Sequence, residues 1–250
     1  MNAETFEIIC NVLAFFMLFM AIMISTTSTV NRMIPLYQIQ SGLLALITGF
    51  TAVQFINQKL LYGMVVLVFS AVPLLLLLII KPLLVLASVP EDVSPEKRIK
   101  RLFDKQVLGE ARQRAYPAWL AQCTTRPIAF GTALLDLFLL TLAFLIAFSL
   151  VKKPLTANLL AISFSLLLLG LSVMRSKTDI ISQIMGLLIM EHGMFLAAIR
   201  LIPMSLAIVA FVVSLILYVM VTLTILVILL PDIHRISGTI QVDQQERLQG

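Results

Sequence analysis

An acidic side chain, Glu191, stands in the middle of the apolar run 184–198, and His192 follows it directly. On insertion scales a charged side chain at the centre of a membrane helix costs about 2.5–3.5 kcal/mol, so chains that carry one commonly use it for protons, ions or a buried partner. A carboxyl group in such a place can take up and release a proton. We therefore expect Glu191 to lie on a proton or ion path, facing protein or internal water. The alternative is a packing residue held by a buried hydrogen bond.

His192, Asp136, Gln40 and Ser41 are the other polar candidates for this path. His192 points about 100° away from Glu191 around a helix, so it serves either as a relay or as a polar packing residue. Asp136 lies within another apolar run, where it should face the bundle interior or pair with a base. Gln40 and Ser41 do not titrate and cannot store a proton, but they can hold a water chain or a neighbouring helix.

The elements that position these residues are membrane helices. The chain has 250 residues, 60% hydrophobic and 12% charged, with a mean hydropathy of +1.04, whereas soluble domains are about 45–50% apolar. Apolar runs of about 20 residues are long enough to cross a bilayer as helices. The sequence predicts an all-α fold, a polytopic transmembrane bundle of about seven helices in a single domain, 1–250. The predicted spans are 6–27, 34–56, 61–87, 128–150, 155–174, 180–200 and 204–230.

Small residues recur beside Glu191 on the sixth predicted span. The stripe consists of Gln183, Gly186, Met190, Gly193 and Ala197. Small side chains let the backbone of another helix approach closely. We expect a neighbouring helix to pack there.

Most Lys and Arg residues fall on one side of the predicted spans. This imbalance predicts a protein of the inner (cytoplasmic) membrane with its N-terminus outside and its C-terminus in the cytoplasm.

On the basic side, residues 88–127 are predicted to form a connector with an amphipathic helix that lies on the membrane surface or against a partner. A solvated connector with some helix is the alternative. Residues 231–250 form a polar cytoplasmic tail. The net charge of +5 reflects these anchors; we expect contact with the bilayer and none with nucleic acid.

Other kinds of chemistry lack the residues that they need. Cys10 and Cys123 lie far apart without a Cys/His cluster, which argues against a metal site or a disulfide framework. No Ser/His/Asp arrangement or Gly-rich phosphate loop appears, so we do not expect the chain to be catalytic alone. The first apolar run follows Glu4 and Glu7 and no basic segment, which predicts a retained helix. No convincing internal repeat is evident.

Several motifs in the last third of the chain resemble one family, hydrogenase-4 component E, a membrane subunit of group 4 nickel–iron hydrogenases. The motifs are Arg175, Gln183 with Gly186, the run Met190-Glu191-His192-Gly193, and Gly238-Thr239. The family has Asn where His192 stands here. A fainter resemblance includes Arg32, Tyr37, Gln40 and Ser41.

The resemblance implies a hetero-oligomer with antiporter-like membrane subunits and the membrane anchor subunit of a redox arm. It implies no cofactor in this chain; nickel, iron–sulfur, flavin or quinone centres belong to partner subunits. Through this family the sixth span is similar to a helix of the K subunit of complex I, whose intramembrane glutamate helps to couple redox chemistry to proton movement. Glu191 takes that place here. The K subunit's second glutamate has no acidic match, since Gln40 and Ser41 stand there.

These observations lead to one hypothesis and two rivals. The hypothesis is a non-redox membrane subunit of a modular complex I-related or group 4 hydrogenase-type complex, in which Glu191 contributes to proton or Na⁺ translocation. The first rival is a structural scaffold of the same complex, with Glu191 locked in a buried hydrogen bond. The second is a stand-alone transporter of ions or small solutes.

Overall fold

The computed structural model of the protein describes residues 3–27, 29–56, 66, 130–177 and 179–201. This part of the chain is helical apart from short turns. Its helices are α1 (Ala3–Thr26), α2 (Val30–Ile56), α3 (Phe130–Leu150), α4 (Pro154–Ser176) and α5 (Ile180–Leu201). All five are long and apolar enough to cross a membrane. The described part of the fold is thus compatible with a helical membrane protein.

Five of the predicted spans are confirmed as helices, with ends that differ by a few residues. The largest difference is at α2, which begins at Val30 and continues through Pro35. The amides of Arg32 and Met33 bond the Thr29 carbonyl, so the first turn is complete before the proline. The predicted spans 61–87 and 204–230, the connector 88–127 and the tail 231–250 lie outside the described residues, Val66 excepted.

Four of the helices form a closed ring. Helix α1 packs on α2, α2 on α5, α5 on α4, and α4 on α1, while α3 lies outside the ring against α4. A continuous apolar core fills the ring, and Tyr37 is the largest side chain that it buries completely. Large apolar side chains on the outer faces of α1 and α3, such as Phe16 and Phe138, are exposed, as expected of surfaces that meet lipid.

The closest packing is between α4 and α5, where glycines bring two backbones together. A Cβ atom on Gly170 would lie 2.5 Å from the Gly186 carbonyl oxygen, and one on Gly186 would lie 2.7 Å from the Gly170 carbonyl oxygen. Further along, a Cβ on Gly193 would lie 2.7 Å from the Ser163 carbonyl oxygen. The expectation that another helix packs on the small-residue stripe is therefore confirmed at Gly186 and Gly193.

The pairs α1–α2 and α4–α5 have the same build, a similarity that the sequence did not indicate. Each pair is an antiparallel hairpin in which three residues separate the two helices, between Thr26 and Val30 in one pair and between Ser176 and Ile180 in the other. The Lys177 ammonium donates to the Thr27 carbonyl at 2.7 Å, so both turns lie at the same end of the bundle. The first helices of the two hairpins, α1 and α4, pack on each other, and so do the second helices, α2 and α5.

Replacement of Gly170 by alanine is expected to destabilise the bundle, because the new methyl group would meet the backbone of α5. Overpacking of this kind typically costs about 1–3 kcal/mol. The free energy of unfolding in detergent micelles measures the effect. Gly49→Ala is the matched control, since no atom lies within 4 Å of a Cβ there and alanine favours a helix by about 0.5–1 kcal/mol over glycine. Equal stability of the two variants would contradict the described crossing.

Candidate functional site

Glu191 lies on α5 and is 2% exposed, although its helix belongs to a ring of only four. The contacts of Gly186 and Gly193 with α4 fix the rotation of α5 on both sides of this residue. The carboxyl group therefore lies within the protein, and the expectation that Glu191 faces protein is confirmed.

His192 joins α5 to α2 through a small polar group. Its Nε2 atom lies 3.3 Å from the Tyr37 hydroxyl and 3.3 Å from the Ser41 hydroxyl. The Tyr37 and His192 rings also stack, with centroids 4.9 Å apart and planes 7° from parallel. If Nε2 accepts from both hydroxyls, the ring proton lies on Nδ1; in the other tautomer Nε2 donates to one of them. His192 thus makes the polar contacts expected of it.

Glu191 and Gln40 each precede a member of this polar group in the sequence, and both are buried without hydrogen-bond partners among the described residues. Gln40 is fully buried, and neither end of its amide has a hydrogen-bond partner among the described residues. The same is true of both carboxyl oxygens of Glu191 and of Nδ1 of His192. Buried polar atoms rarely stay unpaired in native proteins, which marks this region as the candidate functional site.

Asp136 lies in a different place. It is half-buried on α3, and its carboxylate accepts hydrogen bonds from Ser25 on α1, at 2.7 Å, and from Ser172 on α4. The glycine contacts place Glu191 at the level of Leu167, five residues before Ser172 on α4. At 1.5 Å per residue, Asp136 is offset by about 7 Å along the bundle axis toward the turns. The structure therefore brings Glu191, His192, Gln40 and Ser41 together and leaves Asp136 in a separate group.

Three residues of these groups, Tyr37, Ser25 and Ser172, were not among the sequence candidates. The buried Lys177 was not one either. Tyr37 lies one helical turn before Ser41, and that i, i+4 spacing was the available signal that both could meet one partner. Lys177 was interpreted only as one of the basic residues that orient the chain, yet it is 3% exposed. Nothing in its neighbourhood in the sequence distinguishes a buried lysine from a surface one.

Across the described residues, no three His, Cys, Asp or Glu side chains come close enough together to hold a metal ion. Comparison with known proteins gave no match, whether with protein-family models, curated proteins or solved structures.

Substitution of His192 by phenylalanine is expected to destabilise the fold. Phenylalanine keeps a ring to stack on Tyr37 but leaves the Tyr37 and Ser41 hydroxyls without the Nε2 partner, and a buried unsatisfied group costs about 1–3 kcal/mol. Tyr37→Phe added to His192→Phe should cost less than the sum of the single changes, because one orphaned hydroxyl is then removed. Unfolding free energies of the single and double variants form the test, and strict additivity would show that the Tyr37–His192 contact is not formed.

Proposed function

We propose that the chain is a non-redox membrane subunit of a modular complex I-related or group 4 hydrogenase-type complex, and that Glu191 takes part in proton or Na⁺ translocation coupled to redox chemistry. The observation that carries the proposal is the state of Glu191. It is buried within the bundle, beside a hydroxyl–imidazole group, without a hydrogen bond to any described residue.

The same observation favours translocation over a scaffold role. A scaffold would use Glu191 as a fixed hydrogen-bond partner between helices, and such contacts keep a buried polar group in one state. The described residues give the carboxyl group no such contact. A carboxyl group that none of the described residues holds in place is suited to gain and lose a proton, or to bind and release a cation, as nearby charges change.

The surrounding residues have distinct roles in this proposal. Glu191 holds the proton or ion. His192 is placed to pass a proton between the Glu191 region and the Tyr37 and Ser41 hydroxyls, which lie 3.3 Å from its Nε2. Gln40 offers one donor and one acceptor group to a water chain on α2.

The rest of the proposal comes from the sequence motifs. Redox centres, whether nickel, iron–sulfur, flavin or quinone, belong to partner subunits, and this chain binds none of them. It assembles with antiporter-like subunits and with the membrane anchor of the redox arm, in the inner membrane, with its N-terminus outside. Affinity purification of the tagged chain followed by mass spectrometry tests the assembly. Recovery of the chain alone would favour a stand-alone transporter.

Glu191→Gln is expected to leave assembly intact and to lower proton or Na⁺ translocation per electron at least tenfold, because glutamine has nearly the same shape but cannot titrate. The measurement compares redox turnover with ΔpH and Na⁺ uptake for the purified complex in proteoliposomes. Glu4→Gln, which changes an exposed carboxylate of the same chain, should behave as wild type. Unchanged coupling in the Glu191 variant would reduce the subunit to a scaffold.

The common build of the two hairpins gives a second prediction. Gln40 and Glu191 each precede one member of the Ser41–His192 contact, and a glycine follows in both helices. A carboxyl group moved from α5 to α2, in the double variant Gln40→Glu with Glu191→Gln, should therefore restore part of the coupling that Glu191→Gln removes. Translocation per electron is again the readout.

The control for this transfer is Ile39→Glu combined with Glu191→Gln. Ile39 lies at nearly the same depth on α2, but its side chain is 48% exposed on the outer face of the bundle. That variant should remain uncoupled. Recovery in both double variants would mean that the position of the acid is unimportant, against the proposal.

A further inference from the structure

An open groove runs along the outer face of α1, beside the start of α4. A stripe of apolar side chains at helical spacing lines it, and Leu155 of α4 lines it as well; the stripe consists of Ile8, Val12, Phe15 and Phe19. Each side chain of the stripe is about half exposed. The groove encloses about 560 Å³, and ligand pockets in proteins commonly hold about 300–1,000 Å³. The outer face of α1 thus has a concave site large enough for a ligand.

Asn11 also lines the groove but adds almost no polarity to it. Its side-chain amide donates to the Glu7 carbonyl of the same helix at 2.9 Å. Its Oδ1 atom is buried, without a hydrogen-bond partner among the described residues. The groove surface is therefore almost entirely apolar, and the part of an occupant that lies in it must be apolar too.

The length of the groove matches one leaflet of a bilayer. Ile8 and Phe19 are eleven residues apart on α1, which is about 17 Å at the rise of a helix. One leaflet contains about 15 Å of hydrocarbon. A partner helix that crosses the membrane would need a groove along most of the candidate span Glu4–Thr26, but this groove covers about half of it. The length therefore favours an acyl chain over a helix.

Two exposed lysines lie at the end of the groove where α1 and α4 begin. Lys152 and Lys153 directly precede α4, whose second residue is Leu155. Consecutive Cα atoms are 3.8 Å apart, so the Cα atom of Lys153 lies within about 8 Å of that of Leu155. The predicted topology places this end outside, on the side with few basic residues, so the orientation signal does not explain the pair.

Acidic residues balance these lysines. Glu4, which is exposed, and Glu7, which is half-buried, lie in the first turns of α1 at the same end. Two positive and two negative side chains leave this end of the groove without net charge. Such an end favours a headgroup that carries a phosphate but has no net charge.

We propose that the groove binds a zwitterionic phospholipid such as phosphatidylethanolamine. One acyl chain lies along the stripe from Ile8 to Phe19, and the headgroup phosphate faces Lys152 and Lys153. The lipid site is separate from Glu191, so it does not depend on the proposed function.

Photolabelling tests the lipid site. The tagged chain, purified with any subunits that accompany it, is placed in nanodiscs that contain phosphatidylethanolamine with a diazirine in one acyl chain. After irradiation, mass spectrometry quantifies the labelled peptides. We expect residues 8–19 of α1 to be labelled at least fivefold more than the outer face of α3, where Leu137 and Phe138 are at least as exposed. The face of α3 is the reference for ordinary contact with the bilayer.

Two sets of variants examine the groove and the headgroup separately. Val12→Trp fills the groove and should lower the labelling of α1 at least fivefold, whereas Leu137→Trp, on the outer face of α3, should not change it. The double variant Lys152→Gln with Lys153→Gln should lower the labelling at least threefold. Arg175→Gln, at an exposed basic residue near the other end of α4, should match wild type.

Each of four results would overturn the proposal. Equal labelling of α1 and α3 would mean ordinary bilayer contact, and protection of α1 by an accompanying subunit would mean that a protein covers the groove. Unchanged labelling in the double lysine variant would remove the headgroup contact, even if Val12→Trp did not fold. Stronger labelling by a phosphatidylglycerol probe would show that an anionic lipid is the ligand.

Discussion

The backbone contact between α4 and α5 is the constraint on which the rest of the structure depends. Gly170 and Gly186 face each other so closely that neither position has room for a Cβ atom, and Gly193 repeats the contact nearer the middle of α5. In a membrane, where helices gain little from hydrophobic burial against one another, close packing of small residues is a main source of association. The same contact fixes the rotation of α5, and with it the inward direction of Glu191.

The helix packing brings together two polar groups, one around Asp136 and one around Glu191, and they differ in how many of their polar atoms have hydrogen-bond partners. The Asp136 carboxylate accepts from the Ser25 and Ser172 hydroxyls, and the Lys177 ammonium donates to the Thr27 carbonyl. Around Glu191 and Gln40 the described residues leave the polar atoms unpaired. Polar groups in a membrane interior are expensive when they are unpaired, so the two groups differ in how far the described residues satisfy their polar atoms.

The two hairpins have the same arrangement of helices but different polar side chains at matching positions. On α2 the sequence Gln40-Ser41-Gly42 lies opposite Glu191-His192-Gly193 on α5, and the Ser41–His192 contact joins them. Of the two segments, only the one on α5 has side chains, Glu191 and His192, that can gain or lose a proton. A carboxyl group on one helix, with a neutral amide at the matching position of the other, avoids the repulsion that two buried carboxylates would experience at close range.

Local composition alone determined the helical class and the existence of five spans, because a run of about 20 apolar residues has no other low-energy structure across a bilayer. It also determined that Glu191 faces protein, since the charge and the small-residue stripe both oppose a lipid-facing position. Only the tertiary structure decided that Tyr37 and Ser41 meet His192, that Asp136 belongs to a separate group, and that Lys177 is buried. These contacts join residues 36 to 155 positions apart in the chain. Helical periodicity says which residues share a face, but the rotation and depth at which two helices meet are set by packing, and that packing depends on the whole bundle.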